Sequence, residues 1–177
     1  MMHQSSNNLL YVHESGLFKI LFKAFDIPDL YAAIVLPNYD ETLEYFLPFL
    51  NFDKFKDFFE TSNIEMIDLL LPKFQISFQQ DFVKALKSLG VSDIFNNDSS
   101  DFGRMNKRSV NIGNIIQVTH LSVNEMGVNT NSEIESFKGS DEISNQFHVD
   151  HPFLFLIYSN EDKIVHFGAM VNDPMLN

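Results

Sequence analysis

Cysteine is absent from the 177 residues of this sequence. No disulfide framework can form and a thiol nucleophile is excluded, which fits a reducing compartment without excluding secretion. Basic residues are scarce as well: 12 Lys and Arg stand against 24 Asp and Glu, a formal charge of −12. Polyanions such as nucleic acid, or an acidic membrane surface, are repelled by such a chain. The one basic pair is Lys107-Arg108. Long apolar runs are missing, so no segment reads as a bilayer span, and Met1-Met2-His3-Gln4-Ser5-Ser6 lacks the basic-then-apolar pattern of a secretory leader. Repeats and low-complexity tracts are missing too. The single weak sequon, Asn97-Asp98-Ser99, matters only for a secreted chain.

What is present suffices for a folded domain, because 45% hydrophobic residues with 19 Phe supply a buried core at this length. Residues 17–25 are apolar with Lys19 and Lys23 on one face, and residues 30–36 are apolar on both. They read as paired strands, the second central, with Asp26-Ile27-Pro28-Asp29 as the turn and Pro37-Asn38 as the end. Over residues 40–60, Phe46, Phe49, Phe52, Phe55 and Phe59 make a helical stripe that Pro48 splits into two short helices. Residues 66–78 return to extended character, with Phe74, Ile76 and Phe78 alternating. A helix is expected over residues 79–89, its Phe82, Leu86 and Leu89 on one face and Gly90 as a left-handed cap.

Residues 96–107 are polar and read as loop, and residues 112–123 are extended with a phase slip near Thr119 and His120 that a bulge would explain. From residue 126 to 146 few large apolar side chains occur. So long an irregular stretch inside a compact domain is usually functional. The sequence closes on an apolar hairpin, residues 153–158 and 164–171 around a loop at 159–163. The element order is that of an α+β fold.

Candidate reactive groups are few. His148 and His151 could share a metal on a helix, but in extended sequence an i, i+3 pair points to opposite faces. His120 and His166 lie in apolar strands and read as hydrogen-bonded core histidines. No nucleophile-elbow pattern frames any serine. The sequence therefore reads as a protein that is not an enzyme and takes no cofactor or metal.

One segment carries a specific resemblance. Phe147-His148-Val149-Asp150-His151-Pro152-Phe153-Leu154-Phe155-Leu156-Ile157 is similar at its constrained positions to the signature that follows the reactive loop of serpins. Leu71-Pro72-Lys73-Phe74, Leu86-Lys87-Ser88-Leu89-Gly90-Val91 leading to Asp101-Phe102-Gly103, and Val123-Asn124-Glu125-Met126-Gly127 agree with that family in the same order. The resemblance covers nearly the whole chain and implies that Met1-Met2 corresponds to a position near the middle of a serpin domain, so that residues 1–177 are its C-terminal portion. The implied fold is a partial serpin: a small antiparallel β-barrel sheet, two strands of the central sheet, a few short helices and an exposed reactive loop at about residues 126–147. With the remainder of such a domain absent, the apolar strands at residues 30–36 and 153–158 are expected to be exposed, and the open strand edges to favour self-association.

The resemblance also implies a mechanism. A serpin offers its loop to a serine protease, or to a cysteine protease, which cleaves it and forms an acyl-enzyme; the loop then inserts as a strand and carries the protease along. Insertion requires every second loop side chain to enter a core uncharged. Here the hinge is Glu125, Gly127, Val128 and Thr130, and the inward positions Val128, Thr130, Ser132, Ile134 and Ser136 are all uncharged. Val128 and Thr130-Asn131-Ser132-Glu133 depart from the threonine and alanine run of inhibitory members, which implies slow insertion or simple substrate behaviour. The family's usual distance from the hinge glycine places the scissile bond between Asp141 and Glu142; Lys138 would suit a trypsin-like protease, and an acidic loop tip also reads as merely solvated. The resemblance points to the extracellular space, whereas the lack of cysteine and of a leader pattern points to the cytoplasm. The alternative function is a non-inhibitory interaction protein or a remnant.

Overall fold

Eleven residues, Met2–Val12, form the first strand (β1) although Ser5, Ser6, Asn7 and Asn8 give it no apolar alternation. Its neighbours hold it in place. Phe18–Ala24 (β2) pairs antiparallel with its second half, and Asn63–Leu71 (β4) pairs antiparallel along Met2 to Leu10. The computed structural model describes residues 1–39, 41–124 and 145–173. They belong to two compact units, Met1–Phe74 with Val123–Asn177, and Gln75–Ser122.

In the larger unit, β2 turns through Asp29, whose φ of 61° is left-handed, into Leu30–Pro37 (β3). The expected central position of this strand holds: β3 lies between β2 and Phe153–Ser159 (β8), which pairs in turn with Ile164–Val171 (β9). The last strand to join is Asn145–His148 (β7), giving the order β7-β4-β1-β2-β3-β8-β9. This seven-stranded sheet is mixed, where the sequence reading has an antiparallel one. β7 runs parallel to β4, while every other pairing is antiparallel. Residues 145–147, expected at the end of the loop, are therefore strand.

Both faces of the middle strands are covered. On one face Phe18, Ile20 and Phe22 of β2, Ala33 and Val35 of β3, and Leu154, Leu156 and Tyr158 of β8 pack with Leu43, Phe46, Leu50, Phe55 and Phe58. On alternate positions Leu21, Ala32, Ile34, Phe153 and Phe155 are buried as well, and the Phe74 ring stands edge-on to Phe153 and Phe155 at 5.5 and 5.4 Å. The exposed apolar faces expected for β3 and β8 do not occur, because residues of this same chain cover them.

The helical stripe breaks as Pro48 dictates. Leu43–Phe46 (α1), capped by the Thr42 hydroxyl, gives way to a 3-10 turn at Leu47–Phe49, and a second such turn at Phe52–Lys54 precedes Phe55–Glu60 (α2). Each tight turn resets the periodicity. Phe46 and Phe55 are consequently buried, whereas Phe49 and Phe52 stay about half exposed and Phe58 enters the core beside the partly buried Phe59.

Phe74–Asp81 (β5) and Ile116–Val123 (β6), which apart from Phe74 and Val123 belong to the smaller unit, form a two-stranded sheet, and Val83–Ser88 (α3) lies between them in sequence. β5 runs on to Asp81, so the helix starts later than the expected residue 79. The Asp81 carboxylate accepts hydrogen bonds from the Val83 amide at 3.1 Å, the Ile115 amide at 3.3 Å and Asn114 at 3.0 Å, which stops the strand and starts the helix. Leu89, expected on the buried helix face, is 78% exposed. Gly90 takes a φ of 88°, as the cap requires.

Candidate functional site

The segment that carries the signature, from Asn145 onward, is anchored by strand pairing. β7 pairs with β4 from Ile67↔Asn145 to Leu70↔His148, and the Val149 amide extends the ladder by donating to the Leu70 carbonyl at 2.8 Å. Asn145 donates to the Glu65 carboxylate. Strand alternation puts Phe147 and Val149 into the core, both almost fully buried, and leaves His148 half-buried between them.

Asp150 and His151 then tie the turn to the end of β3. Tyr39 Oη donates to Asp150 Oδ2 at 2.7 Å, His151 Nδ1 lies 2.8 Å from Asp150 Oδ1, and His151 Nε2 donates to the Pro37 carbonyl at 2.8 Å. The Tyr39 and His151 rings lie 4.5 Å apart. Burial pulls the Asp150 carboxyl upward, but the hydrogen bonds from His151 and Tyr39 outweigh it and hold the group below the ordinary carboxylate range. The bond to Asp150, with smaller contributions from burial and from the charge of Asp150, pushes the Tyr39 phenol up. Pro152 lacks an N–H and stands just before β8, a position where no ladder bond is lost. Phe153 is fully buried. The four signature residues Asp150, His151, Pro152 and Phe153 thus direct the chain from β7 into β8.

Beside them a cavity of about 430 Å³ is lined by Phe18, Leu36, Phe147, His148 and His151 among others. His148 Nε2 is buried with no hydrogen-bond partner among the described residues. No three His, Asp or Glu side chains among those residues converge to hold a metal. His120 is exposed, and so is His166, which lies 3.9 Å from Asp162; neither is the core histidine that its apolar strand suggested. Each sits at an outward position of its alternating strand.

Sequence reasoning missed Tyr39 and the Pro37 carbonyl, because a partner 111 positions away leaves no local signal. It missed also the polar face where Ser5 donates to Asp68 at 2.9 Å and His3 bonds the same carboxylate. Those two bonds, Ser5 first, hold Asp68 below the usual carboxylate range. Of the remaining expected site residues, Glu125, Gly127, Val128, Thr130, Asp141 and Glu142 lie outside the described residues. No helix among the described residues is long and apolar enough to cross a membrane.

Comparison with known proteins fits this architecture. The family profile described as Serpin (serine protease inhibitor) matches residues 1–174. The chain is 27% identical over 171 residues to Serpin B3 of Homo sapiens, covering 92% of this chain and 44% of that protein. It is likewise 27% identical over 175 residues to Serine proteinase inhibitor 1 of Vaccinia virus, covering 95% and 49%. Among solved structures, a serpin from the trematode Schistosoma haematobium superposes with a TM-score of 0.79 at 28% identity, covering 96% of this chain and 45% of that one. The chain spans less than half the length of each of these relatives. With its profile matched almost end to end, the chain belongs to the serpin family, a family of protease inhibitors rather than of enzymes.

Proposed function

We propose that this protein presents residues 125–144 as bait to a serine protease, with Glu125, Gly127, Val128 and Thr130 as the hinge and the Asp141–Glu142 bond as the point of cleavage. The observation that carries the reading is the family match across residues 1–174, which includes both flanks of the loop. β6 ends at Val123 with that side chain buried, and β7 begins at Asn145 paired with β4, which supports reading the stretch between them in sequence as the loop. In this reading the seven-stranded sheet is the counterpart of the family's small barrel, and β5 with β6 belongs to the sheet that receives the loop. The uncharged inward positions from Val128 to Ser136 keep insertion physically accessible, since no ionised side chain has to be desolvated.

A second reading, substrate without inhibition, is supported by Thr130-Asn131-Ser132-Glu133 in the segment that must insert fastest. Incubation with serine proteases of aspartate, trypsin-like and elastase-like specificity, followed by a denaturing gel and mass determination of the fragments, separates the readings. A covalent complex supports inhibition. Cleavage after Asp141 with no complex supports the substrate reading, and a loop left intact by every protease overturns both.

A further inference from the structure

Both arginines of the sequence, Arg104 and Arg108, fall in one short stretch with Lys107, so three of its 12 basic residues lie within residues 104–108 of an acidic chain. The functional readings above leave this cluster unused. All three side chains are exposed, and none takes part in an ion pair among the described residues. In a chain of formal charge −12 such a cluster is the natural landing point for an acidic partner.

The backbone around the cluster narrows the kind of partner. Residues 96–115 belong to no helix or strand, and from Lys107 to Asn111 no amide or carbonyl enters a backbone–backbone hydrogen bond. Side chains alone tether this stretch. The Arg108 amide donates to Asn106 Oδ1 at 3.2 Å, Ser109 Oγ to the Asn97 carbonyl at 3.1 Å, Ser100 Oγ to the Val110 carbonyl at 2.7 Å and Asn111 Nδ2 to the Phe95 carbonyl at 3.2 Å. Each bond is released by rotating a side chain. Arg104, in the same loop, is held differently: the Met105 and Asn106 amides donate to the Phe102 carbonyl at 2.8 and 2.9 Å and close a turn around it. Lys19 and Lys23 are fixed in β2, and Lys54, Lys56, Lys84 and Lys87 in helical turns. A protease takes its substrate as a strand whose backbone groups are free to pair with its own, and exposed loop segments are where such cuts concentrate.

We propose that the Arg108–Ser109 bond is a processing site for an endoprotease that reads two consecutive basic side chains, independent of the loop at residues 125–144. Lys107 and Arg108 enter two acidic subsites, the arginine fork pairing with a carboxylate. One water is consumed. The amide C–N bond breaks, the water oxygen bonds to the Arg108 carbonyl carbon and the two water protons pass to the Ser109 nitrogen, leaving a carboxylate on Arg108 and an ammonium on Ser109. The two pieces stay together, because β7 and β8 of the second pair with β4 and β3 of the first and β8 shares its core.

Limited digestion of the intact chain at neutral pH tests this, with trypsin and in parallel with a subtilisin-like endoprotease specific for paired basic residues, each followed by intact-mass measurement. Both are expected to cut first after Arg108, giving residues 1–108 and 109–177, which separate on a denaturing gel and co-elute in native size exclusion. Trypsin cleavage after Arg104 is expected to be about tenfold slower, because the two backbone bonds of its turn must open first, and the preference is expected to vanish in urea. Lys107→Gln is expected to slow the paired-basic protease about tenfold by removing one charge-assisted contact, while trypsin still cuts after Arg108. Arg108→Gln is expected to abolish cleavage at this bond by both. First cleavage of the folded chain after Arg104, after Lys138 or after any other lysine overturns the proposal. An unchanged rate of the paired-basic protease on Lys107→Gln overturns the reading of two basic side chains, and fragments that elute apart overturn the claim that strand pairing holds them.

Discussion

The Tyr39 phenol donates a hydrogen bond to the Asp150 carboxylate at 2.7 Å across 111 positions of chain, and it joins the residues just after β3 to the link between β7 and β8. The pair is expected to make stability depend on pH at both extremes. The Asp150 carboxyl is held below its ordinary value, so its contribution is complete above the unfolded-state value near 3.9 and fades as pH falls through the lower folded value. Tyr39 is raised, so its contribution is complete below about pH 10 and fades as pH rises through the higher folded value. Asp150→Asn should lower the melting temperature slightly at neutral pH and remove part of the loss seen on acidification below about pH 4. Tyr39→Phe should act in the same way on the alkaline side. Tyr39 is 70% exposed and the Asp150 side chain 44%, so solvent screening keeps the shifts small. Thermal melts of the three proteins across pH read the effect, and identical acid limbs for wild type and Asp150→Asn would show that the carboxylate bond contributes nothing.

Two phenylalanines of the stripe over residues 40–60 should behave differently. Phe46 is fully buried, with its ring 5.6 Å from that of Phe18, while Phe52 is 50% exposed. Phe46→Ala removes a complete ring from a packed core and should cost about 3–5 kcal/mol. Phe52→Ala should cost no more than about 0.5–1 kcal/mol, since half of its surface already meets water. Urea denaturation followed by circular dichroism measures both. Equal costs would mean that Phe52 is as buried in solution as Phe46.

What could be read from the sequence follows from where the physical signal is local. The strands β2, β3, β8 and β9 announce themselves because alternation and apolar runs are properties of neighbouring residues, and Pro48 marks its break because proline carries its constraint with it. β1 is invisible for the opposite reason: Ser5, Ser6, Asn7 and Asn8 form a strand only because β4 and β2 supply partners on its two sides. The parallel pairing of β7 with β4 joins residues about 78 positions apart, a long-range closure that no local pattern encodes. At the site, the signature around Asp150 and Pro152 was legible as a motif. Its partners Tyr39 and Pro37 depend on how distant strands meet.

Tyr158 gives the last prediction. Its ring lies in the core between Phe22, Phe55 and Phe59, with centroids 6.2, 5.1 and 5.7 Å away, yet its hydroxyl is buried without a hydrogen-bond partner among the described residues. Burial, with a smaller effect from Glu60, pushes the phenol's pKa up and keeps it protonated. An unpaired buried hydroxyl costs the free energy of removing it from water and returns nothing, about 1–3 kcal/mol. Tyr158→Phe keeps the ring and its three aromatic neighbours and removes only the unpaired oxygen, at the expense of a small void. The gain should exceed the loss, because a hydroxyl-sized void costs less than the stranded group. The variant should therefore be more stable by about 1 kcal/mol, a rise in melting temperature of about 2–4 °C for a chain of this size. A melting temperature lowered by the substitution would mean that the hydroxyl is hydrogen-bonded in solution.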